Sequence, residues 1–218
     1  METPKAVLFD CDGVVVDSER LTNLIIQDDL ASRGLALTLD QIMATFVGGT
    51  MAGVGEKAAK MGADIPDTWL ADIYPKIYRA LGEQVELVPG ILPVLDALDA
   101  HSIRYAIGSN GEIKKMETTL GRTGLLDRFQ GVMFSGQAMG APKPAPDVYL
   151  HAARALGVTP AQAIVIEDSR SGAAAAHAAG MRCFGFARDT QPAAFDGVAD
   201  VIFDDMADLP SLLGVSAA

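Results

Sequence analysis

Cysteine is nearly absent: Cys11 and Cys183 are the only two in 218 residues. Two thiols so far apart make neither a disulfide framework nor a thiolate metal cage, and the pattern suits a reducing cytoplasm. Positive charge is scarce as well, with 17 Lys and Arg against 28 Asp and Glu. The net charge of −11 repels nucleic-acid backbones and acidic lipid surfaces, so neither nucleic acid nor membrane is expected as a partner. A small anionic substrate stays open, because one local cation can reverse the field inside a cleft. No apolar run approaches the roughly 18 residues that span a bilayer, and the opening METPKAVLFD has no signal-peptide core. Aromatics make up only 6% of the chain, yet half of its residues are apolar, which excludes a disordered polymer. The expectation is a cytoplasmic protein with one sizeable core and a modest insertion. No exposed apolar stripe stands out from core spacing, and a monomer or homodimer is expected.

What the chain does have is a rhythm of short apolar runs, each followed by a segment with helical spacing. That is the βα alternation of a parallel sheet, whose strands read as continuous apolar stretches because helices cover both faces. Strands are predicted at Ala6 to Phe9, Tyr105 to Gly108, Val132 to Phe134, Ile164 to Ile166, Cys183 to Phe186 and Val201 to Phe203. Helices are predicted at Lys114 to Thr123, Asp147 to Ala155, Ser171 to Ala179 and Met206 to Leu213. The interval between the first two strands is too long for one crossover. From Ser18 to Gln84 it reads as helices broken by Gly48, Gly49, Gly62 and Pro66. The fold class is therefore α/β, a Rossmann-like parallel sheet with a helical insertion, residues 18–84, after its first strand. Residues 1–17 and 85–218 form the core, with hinges near Val15 to Asp17 and Val85 to Pro89.

Ligands of open α/β sheets bind beyond the carboxyl ends of the strands. Asp10, Asp12 and Gly13 follow the first strand, Ser109, Asn110 and Gly111 the second, Lys143 sits between Pro142 and Pro144, and Glu167 and Asp168 close a later strand. Each has an ordinary reading alone. Asp168 could cap a helix, Ser109 and Asn110 could be turn residues, and Lys143 could be a solvated loop charge. Together they are harder to dismiss, because two carboxylates about 4 Å apart repel by about 4 kcal/mol at an effective dielectric near 20. A hard divalent cation removes that cost, and Mg²⁺ takes one or two carboxylates plus substrate phosphate. Lys143 adds a point charge suited to a phosphate oxygen. The set describes phosphoryl transfer, with Ser109, Asn110 and Lys143 receiving the phosphate. The two-residue offset points Asp10 and Asp12 the same way, Asp10 to attack phosphorus and Asp12 to move protons.

The segments FDCDGVVVDSE (9 to 19), IGSNG (107 to 111), KPAPD (143 to 147) and VIEDSRSGAAAAHAAGM (165 to 181) resemble the four ordered motifs of the haloacid dehalogenase superfamily. The similarity is greatest to the branch of beta-phosphoglucomutase and 6-phosphogluconate phosphatase. The resemblance implies a Mg²⁺-dependent phosphatase of a small phosphorylated metabolite, a sugar phosphate, working through an aspartyl phosphate. It implies Asp10 as nucleophile, Asp12 as acid and base, Ser109 and Lys143 as phosphate ligands, and Mg²⁺ held by Asp10, Asp168 and the carbonyl of Asp12. Glu167 would be a metal ligand directly or through water. The insertion would be a mobile helical cap that excludes water and selects substrate. Dehalogenases of the superfamily lack the second aspartate, which is present here as Asp12. The mutases carry a cap histidine where this chain has Thr22, and cap-loop cations where it reads Phe46, Val47, Gly48, Gly49, Thr50, Met51. A hydrolase is expected over a mutase or a phospho-accepting signalling module.

The remaining polar and aromatic residues are quieter. His101, His151 and His177 are expected on the surface, Trp69, Tyr74 and Tyr78 in the core of the insertion, and Lys57, Lys60 and Lys76 as solvated helix charges.

Overall fold

The computed structural model describes residues 3–46 and 50–215. Val47, Gly48 and Gly49, read above as a helix break and part of a loop without cations, lie outside the described residues. The strands are β1 (Ala6–Phe9), β2 (Val16–Asp17), β3 (Glu86–Leu87), β4 (Arg104–Ser109), β5 (Met133–Ser135), β6 (Ala163–Glu167), β7 (Arg182–Phe186) and β8 (Val201–Phe203). The helices are α1 (Glu19–Ser32), α2 (Leu39–Phe46), α3 (Met51–Lys60), α4 (Trp69–Gln84), α5 (Ile91–Ala100), α6 (Ile113–Thr123), α7 (Leu126–Phe129), α8 (Asp147–Ala155), α9 (Arg170–Ala178) and α10 (Leu209–Leu212). Among the described residues no helix is long and apolar enough to cross a membrane.

Packing divides the chain into two compact units, residues 1–17 with 86–218, and residues 18–85. The first unit is an α/β layer structure built on a six-stranded sheet in the order β5-β4-β1-β6-β7-β8, parallel throughout. All four residues of β1 are buried, as its central position demands. Ala6 and Leu8 share one sheet face with Ala106, Val165 and Cys183, covered by Val148, Tyr149 and Ala152 of α8 and Ala173, Ala175 and Ala176 of α9. The alanine run thus lets α9 come close to the sheet. Helix α5 packs on β4 and α6 on β5. Because β1 lies between β4 and β6, the strand order reverses around it, and the loops after these three strands open onto one crevice.

The predicted helices left out α5, ILPVLDALDA, which carries Pro93 in its first turn although Ile91, Val94, Leu95 and Leu98 are buried at helical spacing, and no strand was predicted for the ribbon in which Val16 pairs with Leu87 and Asp17 with Glu86. The ribbon's two-residue strands are too short to show a period. It places Asp17 and Glu86, the ends of the first unit's two segments, side by side. The predicted helix from Met206 to Leu213 is a 3₁₀ turn (Met206–Asp208) followed by the short α10.

The second unit consists of α1 to α4. Its aromatic anchor is Trp69, buried as expected, and α3 approaches so closely at Gly55 that a Cβ there would stand 2.9 Å from the indole. Trp69 Nε1 donates to the carboxylate of Asp29 on α1 at 2.8 Å. Arg33 and Lys76 donate to the same carboxylate, each at 2.7 Å. Lys76, expected as a solvated charge, therefore joins α4 to α1. Burial would raise the pKa of Asp29, but donation from Lys76, Arg33 and Trp69 outweighs it and holds the group below its ordinary value of 3.8.

A group with a lowered folded value stabilises the protein above its ordinary value and loses that contribution as pH falls through the folded one. Asp29→Ala should cost about 2–3 kcal/mol in urea unfolding at pH 7, since it strands a buried indole N–H and two cations. The deficit should shrink as pH drops below 3.8.

Candidate active site

The rim residues come together where β1, β4 and β6 end. Asp10 continues the β1 ladder by donating its N–H to Ile166 O at 2.9 Å, and its side chain is almost buried. Lys143 arrives from the loop after β5, with its ammonium 2.5 Å from Asp10 Oδ1 and 2.6 Å from Glu167 Oε1. Asn110 holds that loop by its main chain. Its Oδ1 accepts the Lys143 N–H at 2.7 Å, and its Nδ2 donates to Lys143 O at 3.3 Å. Ser109, also buried, accepts the Gly111 N–H on Oγ at 2.9 Å, which leaves its hydroxyl proton to donate.

Glu167 is fully buried, and both its oxygens are engaged. Oε1 accepts from Lys143 and from Tyr149 OH at 2.8 Å, while Oε2 accepts the Ser169 N–H at 3.0 Å and the Ser169 hydroxyl at 2.8 Å. Lys143 also lies over the Tyr149 ring, 4.8 Å from its centroid. Ser169 caps α9, accepting the Gly172 N–H at 3.1 Å, so the cap role open to Asp168 is taken by its neighbour. A Cβ at Gly172 would fall 1.6 Å from Glu167 Oε1, so only glycine admits the carboxylate there. Asp168 instead faces the first motif: a Cβ on Gly13 would fall 2.0 Å from Asp168 Oδ2, and Gly13 turns at φ +80°.

Asp12 meets a residue that sequence reasoning did not single out. Lys115 of α6 places its ammonium 2.7 Å from Asp12 Oδ1. Its sequence signal was a lysine in the first turn of a helix, where the macrodipole disfavours a cation. Tyr149, Ser169 and Gly172 also went unassigned, because each looks like ordinary core or cap.

Electrostatically the site is short of positive charge. Burial pushes Asp10 up to about 7, with Glu167 and Asp12 adding to the effect and Lys143 opposing it. Burial alone would lower Lys143 and Lys115, but Asp10 and Glu167 raise the first and Asp12 raises the second, so both remain cationic. Asp10, Asp12 and Glu167 meet two ammonium groups, with Asp168 against the adjoining Gly13 turn, so acids outnumber cations and a divalent ion would offset the excess. Among the described residues no three His, Cys, Asp or Glu side chains gather closely enough to form an all-protein metal cage. That donor set fits Mg²⁺, which takes few carboxylates and keeps water and phosphate as its other ligands.

Comparison with known proteins shows the family. The family described as haloacid dehalogenase-like hydrolase matches residues 7–186. The 6-phosphogluconate phosphatase of Escherichia coli is 28% identical over 214 residues, covering 97% of this chain and 96% of that protein. The protein CbbY of Rhodobacter capsulatus is 31% identical over 190 residues, covering 82% and 83%. Among solved structures, a family hydrolase from Deinococcus radiodurans, with bound phosphate and sodium, superposes with a TM-score of 0.84 at 32% identity over 100% of both chains.

Gly172→Ala should destabilise the protein by about 1–3 kcal/mol, as expected for overpacking, by driving Glu167 off its donors. Gly121→Ala in α6, whose nearest neighbour would be Leu126 at 3.9 Å, should be neutral or stabilising by up to about 1 kcal/mol. Chemical unfolding of the two variants in parallel checks the pair.

Proposed function

We propose that this chain, which belongs to the haloacid dehalogenase-like hydrolases and is a phosphatase of that family, hydrolyses a small sugar phosphate through an aspartyl phosphate on Asp10. The observation that carries the reading is the buried contact of Lys143 with Asp10 at the end of β1, 2.5 Å, with Asp168 against the adjoining Gly13 turn. A carboxylate aimed out of a strand end beside a fixed ammonium can attack phosphorus while the cation balances the transferring oxygens.

In the first step a bond forms between the Asp10 carboxylate and phosphorus as the bond to the substrate oxygen breaks. Asp12 in its protonated form gives that proton to the oxygen, then as the carboxylate takes one from the water that cleaves the aspartyl phosphate, and so is protonated again for the next turnover. Lys143 and the Ser109 hydroxyl bind phosphoryl oxygens, and Asn110 serves by clamping the Lys143 main chain. Asp10, Asp168 and the main-chain carbonyl of Asp12 would hold Mg²⁺, which would supply further neutralisation of phosphoryl charge.

For Glu167 we read a role other than the one the resemblance implies. Four donors occupy its two oxygens and exhaust a carboxylate's roughly four lone-pair sites. We assign it to holding Lys143 rather than to the metal. Substrate selection is assigned to the helical unit, residues 18–85. A sugar-phosphate substrate is supported by the Escherichia coli relative, whose name gives 6-phosphogluconate as its ester.

Asp10→Asn should lower p-nitrophenyl phosphate hydrolysis in Mg²⁺ by about a thousandfold or more, and retention of substantial turnover would refute the nucleophile assignment. In a thermal-shift assay, saturating Mg²⁺ should stabilise the wild type by about 2–3 kcal/mol at about 100 times its dissociation constant. Asp168→Asn should abolish most of that shift; an undiminished shift would place the cation elsewhere. Screening phosphorylated metabolites for phosphate release should rank sugar phosphates first.

A further inference from the structure

We propose that Lys115 is a positioning residue that fixes the Asp12 carboxylate in the orientation from which it serves the leaving oxygen. The role rests on the reading of Asp12 given above and adds a residue to it.

Lys115 is the second of two adjacent lysines in the first turn of α6, and the two behave differently. Lys114 is exposed, whereas Lys115 turns inward and retains 22% exposure of its side chain. Both the helix dipole and the loss of hydration disfavour an ammonium in that place. The compensating partner comes from 103 residues away, Asp12 Oδ1 at 2.7 Å. A local preference overridden this way, at the mouth of a reaction site, marks a residue placed for function.

The contact also divides the two oxygens of Asp12. Oδ1 is engaged by Lys115, and Oδ2 lies beside the turn after β4. A Cβ at Gly111 would stand 3.5 Å from Asp12 Oδ2, 3.2 Å from Ser109 Oγ and 3.7 Å from Lys115 Cδ. Gly111 is thus the point around which the phosphate-binding hydroxyl, the proton-transferring carboxylate and the lysine stem converge. With Oδ1 tethered, the carboxylate plane cannot rotate freely, and Oδ2 stays on the side where Ser109 receives the phosphoryl group. Proton transfer in a transition state requires such placement within hydrogen-bond reach. Lys115 touches no reacting atom in this scheme; it acts through Asp12.

The test uses two esters of similar shape whose leaving groups differ in their need for a proton, phenyl phosphate and p-nitrophenyl phosphate. Their kcat/KM values report events only as far as cleavage of the ester bond, so later hydrolysis of the aspartyl phosphate does not obscure the comparison. Lys115→Met should reduce kcat/KM for both, with a loss about tenfold greater on phenyl phosphate, a part of the roughly hundredfold or more that general acid catalysis contributes. Lys115→Arg, which keeps the charge and the reach, should restore most of that difference, and Lys115→Gln serves in place of the methionine variant if the latter fails to fold. Equal proportional losses on the two esters, or no loss, would overturn the positioning role while leaving the phosphatase intact. A wild-type protein that releases phosphate from neither ester in Mg²⁺ would overturn the phosphatase reading and this role with it.

Discussion

The first unit is organised around a buried ammonium. Lys143 reaches the end of β1 with little exposed surface, and it stays charged because Asp10 and Glu167 receive it. A buried charge left without partners would cost several kcal/mol, so the surroundings must hold those partners in place. Tyr149 and Ser169 fill the remaining sites of Glu167, Asn110 clamps the main chain of Lys143, and Gly172 makes room for the carboxylate. These residues come from α8, the cap of α9, the β4 loop and α9 itself. The arrangement therefore reaches through much of the layer that packs on one face of the sheet, and its stability depends on one side chain.

Two buried aspartates show how the same penalty is resolved in opposite directions. Asp29, inside the helical unit, has three donors, and its carboxyl is held below the ordinary range despite burial. Its ionised form is what the fold uses. Asp10 has Lys143 against it, but burial and two neighbouring acids prevail and its carboxyl rises to about 7. Without a cation, ionising Asp10 costs the folded state stability as pH climbs from 3.8 towards 7, the reverse of Asp29. An acid held in that condition is poorly chosen for stability, and its perturbation at a strand end marks it as a candidate functional group.

Topology is what gathers the site. The order β5-β4-β1-β6-β7-β8 puts the first strand between two strands that arrive far later in the chain, so their terminal loops share one crevice. Asp10, Ser109 and Glu167 each stand at or just beyond a strand end that pairs with β1 or belongs to it. The α8–α9 layer then supplies the partners of Glu167, and α6 supplies Lys115. Each contribution is modest, and their register along parallel strands makes them convergent.

Much of this was legible before any coordinates. The apolar runs named the six strands of the sheet to within a residue or so at each end, and the offset of Asp10 and Asp12 with the four motif segments named the rim. Strand periodicity and turn chemistry are local, which is why they can be read from one chain. What escaped depended on partners distant in sequence: that Glu167 is consumed by Lys143, Tyr149 and Ser169, that Asn110 acts on a backbone, and that Lys115 answers Asp12. Helix α5 carries a helical face at Ile91, Val94, Leu95 and Leu98 that Pro93 in its first turn obscured, and the β2–β3 ribbon escaped because two residues carry no period. The sequence by itself determined which groups could do phosphoryl chemistry and at which strand ends they stand. Only the tertiary structure decided how those groups divide the work, because the cost of a buried charge is settled by whichever donors the fold brings within about 3 Å.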